Sequence, residues 1–288
     1  MSAEPWQAGV TTAEKKTPAQ QLTRLRRGEN TGRKEWRARG QRWLRFLSPF
    51  LLLAAWEIFA DLGVIDVRFF PPPSEIILTG WSLVEDGTLL GAVSDSLSRV
   101  LIGYIGGAIV GVAIGLWLGL SDWFRALIEP WVQVTYPIPK LALYPLFVLV
   151  FGLGEMPILI LLAITVFYIV VINTIAGVLS IRHVLLDVGR DCNATFLQFF
   201  RTIALPASMP HICTSLELSL GLAYIVLIAA EFVGARTGLG AIIWSSWQLF
   251  DVGPMYVAIM TVSMLGYISV LIVRYLGNLA MPWRHSKS

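Results

Sequence analysis

From Ile158 to Ser180 the chain runs 23 residues without a charged side chain. Eighteen or more such residues are enough to cross the roughly 30 Å hydrocarbon core of a bilayer as a helix. A backbone in lipid must satisfy its own N–H and C=O groups, which leaves helices or closed barrels. Apolar runs recur at Phe46–Leu62, Val100–Leu120, Ile128–Phe151, Ile212–Val233 and Tyr256–Leu276. Hydrophobic residues make up 56% of the chain and charged residues 14%, which excludes an ordinary soluble domain. The expectation is an all-α integral membrane protein with about six transmembrane helices. Pro137, Pro139 and Pro145 should kink or break the third run.

With six spans and a cytoplasmic N-terminus, 18 of the 22 Lys and Arg residues fall on the inside. Arg68, Arg99 and Arg236 fall outside, and Lys140 lies within a span. Because basic residues accumulate on the cytoplasmic side, both termini and the segment around residues 181–210 are expected there. Residues 1–41 read as a basic, mostly disordered cytoplasmic tail near anionic headgroups, residues 42–283 as the transmembrane domain, and 284–288 as a short C-terminal tail. The basic run precedes a span and lacks a folded reading platform, so no nucleic-acid partner is expected. Cys192 and Cys213 carry no chemistry in this reading. His183, His211 and His285 show no metal-ligand spacing, so neither a metal site nor a catalytic set is expected.

Between two apolar runs lies a polar interruption, Asp187–Pro206. Asn193 suits the left-handed turn that ends a helix. Thr195 with Gln198 three residues on forms a capping-box pattern for a second short helix, which Pro206 would stop. Phe196, Phe199 and Phe200 recur at helical spacing, and such an aromatic face beside Arg190 and Arg201 is what a partner's cleft grips. The competing reading is an amphipathic helix lying on the bilayer.

In the second run Gly103, Gly107, Gly111, Gly115 and Gly119 repeat every four residues. This is a face for close helix packing or for sliding. Intramembrane charge needs a reason, and Lys140, Glu217 and Glu231 are the cases. With Tyr136 they are candidates for a translocation path, the competing reading being structural pairing with each other or with backbone carbonyls.

The segment Asp187-Val188-Gly189-x-x-x-Asn193-Ala194 through Ile203-Ala204-Leu205-Pro206 resembles the cytoplasmic coupling motif of ATP-binding-cassette importer permeases, with Asp for Glu, Val-Gly for Ala-Ala and Asn for Gly. Phe70-Pro71-Pro72-Pro73, the Pro-rich stretch leading to Phe151-Gly152-Leu153-Gly154-Glu155, Ala229-Ala230-Glu231 and Thr237-Gly238-Leu239-Gly240 resemble the nitrate/sulfonate/bicarbonate/taurine branch. The resemblance covers residues 45–283. It implies the type I importer permease fold and the pore subunit of a binding-protein-dependent importer of a small solute in the bacterial cytoplasmic membrane. It also implies a second permease copy, two ATPase subunits and an extracytoplasmic solute-binding protein as partners. Asp187, Gly189, Asn193, Ala194, Phe196, Phe199, Phe200, Arg201, Leu205 and Pro206 would carry the coupling to the ATPase. No Gly-x-x-x-x-Gly-Lys-Ser/Thr loop occurs, so ATP and Mg belong on the partner ATPase and no cofactor on this chain. The alternative is a secondary-active transporter, which would usually show two related halves; no such repeat is visible.

Overall fold

The computed structural model describes residues 47–283, so the tails expected at 1–41 and 284–288 lie outside the described residues. The chain divides into two compact units, Met1–Ile65 and Asp66–Ser288. In the first, residues 47–61 form helix α1. The regular structure of the second, among the described residues, is all helical: α2 (Pro73–Glu85), α3 (Thr88–Leu120), α4 (Asp122–Thr135), a 3₁₀ turn (Lys140–Leu143), α5 (Tyr144–Phe151), α6 (Glu155–Leu179), α7 (His183–Asp191), α8 (Phe196–Phe199), a π-helical turn (Phe200–Ala204), α9 (Leu205–Gly234), α10 (Leu239–Leu249) and α11 (Val252–Leu279). Pro73 opens α2 at a position that needs no N–H donor.

Among the described residues four helical stretches are long and apolar enough to cross a membrane: α3, α6, α8 through α9, and α11. The third expected span is not one helix. Its halves, α4 and the 3₁₀ turn with α5, meet at a bend of 89°, because Pro137 and Pro139 remove N–H donors and push the residues before them out of helical geometry. The count is therefore four spans, or five if the bent pair is one, and the first expected run falls on α1 at the edge of the described residues.

Helix α6 is the axis of the second unit and the most apolar of the four, with mean hydropathy 2.7. It packs on α3 along one face and α9 along another. Val100, Tyr104, Leu161, Leu162, Val166, Leu220 and Leu227 form the buried seam between them. The glycine repeat of α3 supplies the α6 contact. Cβ atoms placed on Gly103, Gly107, Gly111, Gly115 and Gly119 would fall 2.6, 2.3, 2.9, 2.6 and 2.6 Å from the nearest atoms of α6. The side chains seated there are Leu162, Val166, Val170, Thr174 and Val178. The two helices thus run parallel in a constant register, each glycine facing the residue 59 positions on (162 − 103, 178 − 119).

Helix α3 begins 12 residues before the apolar run it was expected to match (100 − 88). Its first half carries Ser96 and Arg99, which point inward and are buried. Arg99 is thus a helix residue of the bundle and not part of an outside loop.

Candidate functional site

Two polar constructions sit at opposite ends of the bundle. The helical stretch Phe196–Gly234 has 39 residues, about 58 Å at about 1.5 Å per residue. One construction surrounds its first turn, the other its last.

At the first end, α7 closes in a left-handed turn. Asn193 takes φ 48°, its N–H bonds to the Arg190 carbonyl at 2.9 Å, and the Ala194 N–H reaches the Gly189 carbonyl at 3.0 Å. These two bonds absorb carbonyls that would otherwise be left without partners at the helix end. Thr195 then caps α8: its Oγ1 accepts from the Gln198 N–H, and Gln198 Oε1 accepts from the Thr195 N–H at 2.9 Å. Gly189 is buried, and a Cβ there would meet the Phe199 ring at 3.0 Å, so its missing side chain lets α7 fold onto α8. Arg190 and Asp187 pair at 3.8 Å, both largely exposed, which contributes little. Arg201 is exposed, and Leu205 and Ala194 are half-buried.

The three phenylalanines do not form one exposed face. Phe196 is 71% exposed and Leu197 56%. Phe199 and Phe200 are half-buried against Ile203 and the Val178–Ile212 core. Phe196 stacks on Phe200 with centroids 6.5 Å apart. Phe196, Leu197 and Phe200 also wall an apolar hollow of about 880 Å³ against Ile109, Val112, Leu116 and Trp117 of α3. Nor does Pro206 stop the helix. It stands in the first turn of α9, and the widened turn Phe200–Ala204 before it accommodates a ring that would crowd the carbonyl four residues back.

At the other end, Arg99 joins three elements. Its Nε donates to Glu155 Oε2 at 2.5 Å and its Nη2 to Glu155 Oε1 at 2.7 Å. Nη1 donates to Glu231 Oε1 and to the Thr237 carbonyl, both at 2.7 Å, and Nη2 also to Thr237 Oγ1 at 3.1 Å. All five guanidinium N–H groups are thereby used. Glu231, fully buried, further accepts from Ser96 Oγ at 2.8 Å and from the Gly240 N–H at 2.8 Å. Ser96 Oγ itself accepts from the Leu239 N–H at 2.8 Å. Glycine is required where the α9–α10 turn closes on this group: a Cβ on Gly238 would lie 2.5 Å from Glu231 Oε1, and one on Gly240 2.6 Å from Glu231 Cβ.

The other intramembrane charges are also satisfied. Lys140 Nζ donates to the carbonyls of Thr135 (3.2 Å), Tyr136 (2.5 Å) and Ile138 (2.9 Å) at the end of α4, and lies 4.4 Å from the Tyr168 ring centroid. Tyr136 beside it is 48% exposed. Glu217 accepts from Arg274 Nε at 2.9 Å. The acids thus pair with arginines rather than with Lys140, and Lys140 with carbonyls.

The family described as binding-protein-dependent transport system inner membrane component matches residues 107–279. The chain belongs to that family. SsuC of Bacillus subtilis (strain 168), provisionally named an aliphatic sulfonates transport permease protein, is 31% identical over 85% of this chain and 89% of its own length. The taurine transport system permease protein TauC of Escherichia coli (strain K12) is 29% identical over 81% and 86%, and the nitrate import permease protein NrtB of Leptolyngbya laminosa 27% over 81% and 85%. A structure of the MetNI methionine ABC transporter in an inward-facing conformation matches with TM-score 0.58 at 19% identity, covering 68% of this chain and 95% of that one, which shows a shared fold. The permease is thus an inner-membrane transport component of the sulfonate, taurine and nitrate branch, and the secondary-carrier alternative falls away.

Three motifs that carried the resemblance, Phe-Gly-x-Gly-Glu, Ala-Ala-Glu and Thr-Gly-Leu-Gly, converge on Arg99, which sequence reasoning left outside as a topology marker. A signal was present: Arg99 stands four residues before Gly103 and so continues the glycine face toward the helix start.

Proposed function

We propose that this permease forms the membrane path of an importer built from two copies of the chain, two ATPase subunits and an extracytoplasmic solute-binding protein. The assembly works in the bacterial cytoplasmic membrane, with both termini and the coupling loop 181–210 in the cytoplasm, within a transmembrane domain spanning 42–283. ATP and Mg act on the ATPase, and this chain is no enzyme on its own. The solute is small, of the kind for which the sulfonate, taurine and nitrate relatives are named.

The observation that carries the reading is the α7–α8 turn. Asn193, Ala194 and the Thr195–Gln198 cap hold α8 so that Phe196 and Leu197 project at one end of a helix about 58 Å long. Asp187, Gly189, Phe199, Phe200, Arg201, Leu205 and Pro206 shape and join this projection, so that force on α8 passes directly into α9. Tyr136 and Lys140 at the broken span remain the path candidates, since irregular backbone at membrane depth belongs in protein or beside a wet cavity. Glu231 and Glu217 act by pairing helices around the path.

Replacing Phe196 and Leu197 together with Asp should weaken ATPase docking by thirtyfold or more, at roughly 2 kcal/mol or above for a central apolar anchor. Loss of the ATPase on co-purification, with normal insertion and melting of the permease, is the expected result. An undiminished complex would remove this helix from the interface. Orientation has its own test, because Cys192 is exposed and Cys213 buried. An impermeant thiol reagent should label Cys192 of the unaltered protein in inside-out vesicles and leave it unlabelled in intact cells. Labelling of intact cells would invert the topology.

A further inference from the structure

We infer that the Glu155–Arg99 ion pair is a releasable latch that opens the end of the bundle opposite the coupling turn, while the Arg99–Glu231 pair stays closed. The two acids on Arg99 differ sharply in exposure. Glu231 is 0% exposed and held by Ser96 and the Gly240 N–H as well as by Arg99. The Glu155 side chain is 59% exposed, and among the described residues Arg99 is its ion-pair partner. If Arg99 let Glu231 go, a fully buried carboxylate would be left without a counter-charge, with only the Ser96 hydroxyl and the Gly240 N–H to hold it. If it lets Glu155 go, the carboxylate passes into water, and Arg99 keeps Glu231 and Thr237.

The backbone is built for the same asymmetry. Glu155 begins α6 directly after Gly152 (φ 78°) and Gly154 (φ 148°), where glycine permits swings that other residues resist. Neither glycine touches a neighbour through a notional Cβ, so the turn is not wedged in place. The α9–α10 turn on the other side of Arg99 is wedged, since Gly238 and Gly240 lie against Glu231.

The closed state carries both ion pairs, the open state a hydrated Glu155 carboxylate and an Arg99 satisfied by Glu231 and the Thr237 carbonyl. The device acts at the far end of the same helices that carry the coupling turn, and its test uses the permease alone, so its failure is separate from any failure of ATPase docking.

In a background with Cys192→Ser and Cys213→Ala, single reporter cysteines are placed at Ile158, buried in the first turn of α6, and at Leu239, buried in the wedged turn. Their labelling by an impermeant maleimide is timed in purified permease in nanodiscs. Glu155→Gln should raise the rate at Ile158→Cys roughly tenfold, the effect of losing a charged hydrogen-bonded pair, and leave Leu239→Cys unchanged. An unchanged rate at Ile158→Cys in Glu155→Gln, or an equal rise at both reporters, overturns the latch.

Discussion

Arg99→Met should cost the permease about 3–5 kcal/mol, the usual consequence of removing one partner of a buried ion pair and leaving the other charge stranded. Domains are stable by only about 5–15 kcal/mol, so the variant should accumulate poorly and melt far below the unaltered protein in detergent. The loss is specific: Glu231 would be left at 0% exposure with one hydroxyl and one N–H. Glu231→Gln should cost less, because the amide keeps the shape and its oxygen can still accept from Ser96 and Gly240, while Arg99 keeps Glu155. Glu155→Gln should cost least in global melting, since that carboxylate is already 59% exposed and water replaces the lost bond. Combining Arg99→Gln with Glu231→Gln should recover part of the Arg99 loss by removing both buried charges. Melting curves of the four proteins give the ranking, and an Arg99→Met protein that melts with the unaltered one would dismiss the cluster as a structural centre.

Much of the fold is legible in the chain, because length and apolarity act through one solvent, the bilayer. The run Ile158–Ser180 matches α6 to within one residue at its end and the run Ile212–Val233 lies within α9 for that reason, and Asn193 and the Thr195–Gln198 box close and open their helices by local hydrogen bonds that need no tertiary partner. What could not be read depends on contacts distant in sequence. Pro206 reads as a stop, yet a π-helical turn absorbs its ring and α9 continues. Phe199 and Phe200 read as exposed by spacing alone, yet Gly189 lets α7 fold against Phe199, and Phe200 packs on the Val178–Ile212 core. Arg99 reads as a marker of the outside because hydropathy has no means of seeing Glu155 and Glu231, which are 56 and 132 residues away in the chain (155 − 99, 231 − 99).

The glycine repeat of α3 is open to a test with its own internal control. Gly106 and Gly107 are neighbours on one helix, but a Cβ at Gly106 meets nothing within 4 Å, whereas one at Gly107 would stand 2.3 Å from the Ala163 carbonyl oxygen and 2.9 Å from Val166 Cβ. A flexible side chain can turn aside, but a carbonyl fixed in the α6 ladder cannot move without displacing the helix. Overpacking a fitted core commonly costs about 1–3 kcal/mol, and Gly107→Ala should sit at the top of that range or above it. Gly106→Ala should be neutral or stabilising by up to about 1 kcal/mol, since it restricts the unfolded chain at a position already helical. The measurement is the difference in melting temperature between the two purified variants, and equal melting would mean that α3 and α6 do not meet along this face. If the difference holds, the repeat is a fixed seam: five side chains of α6 are seated over five missing ones on α3, so the two helices move as one body. Motion in transport must then fall on elements outside that seam, such as the bent α4–α5 pair and the turn that carries Glu155.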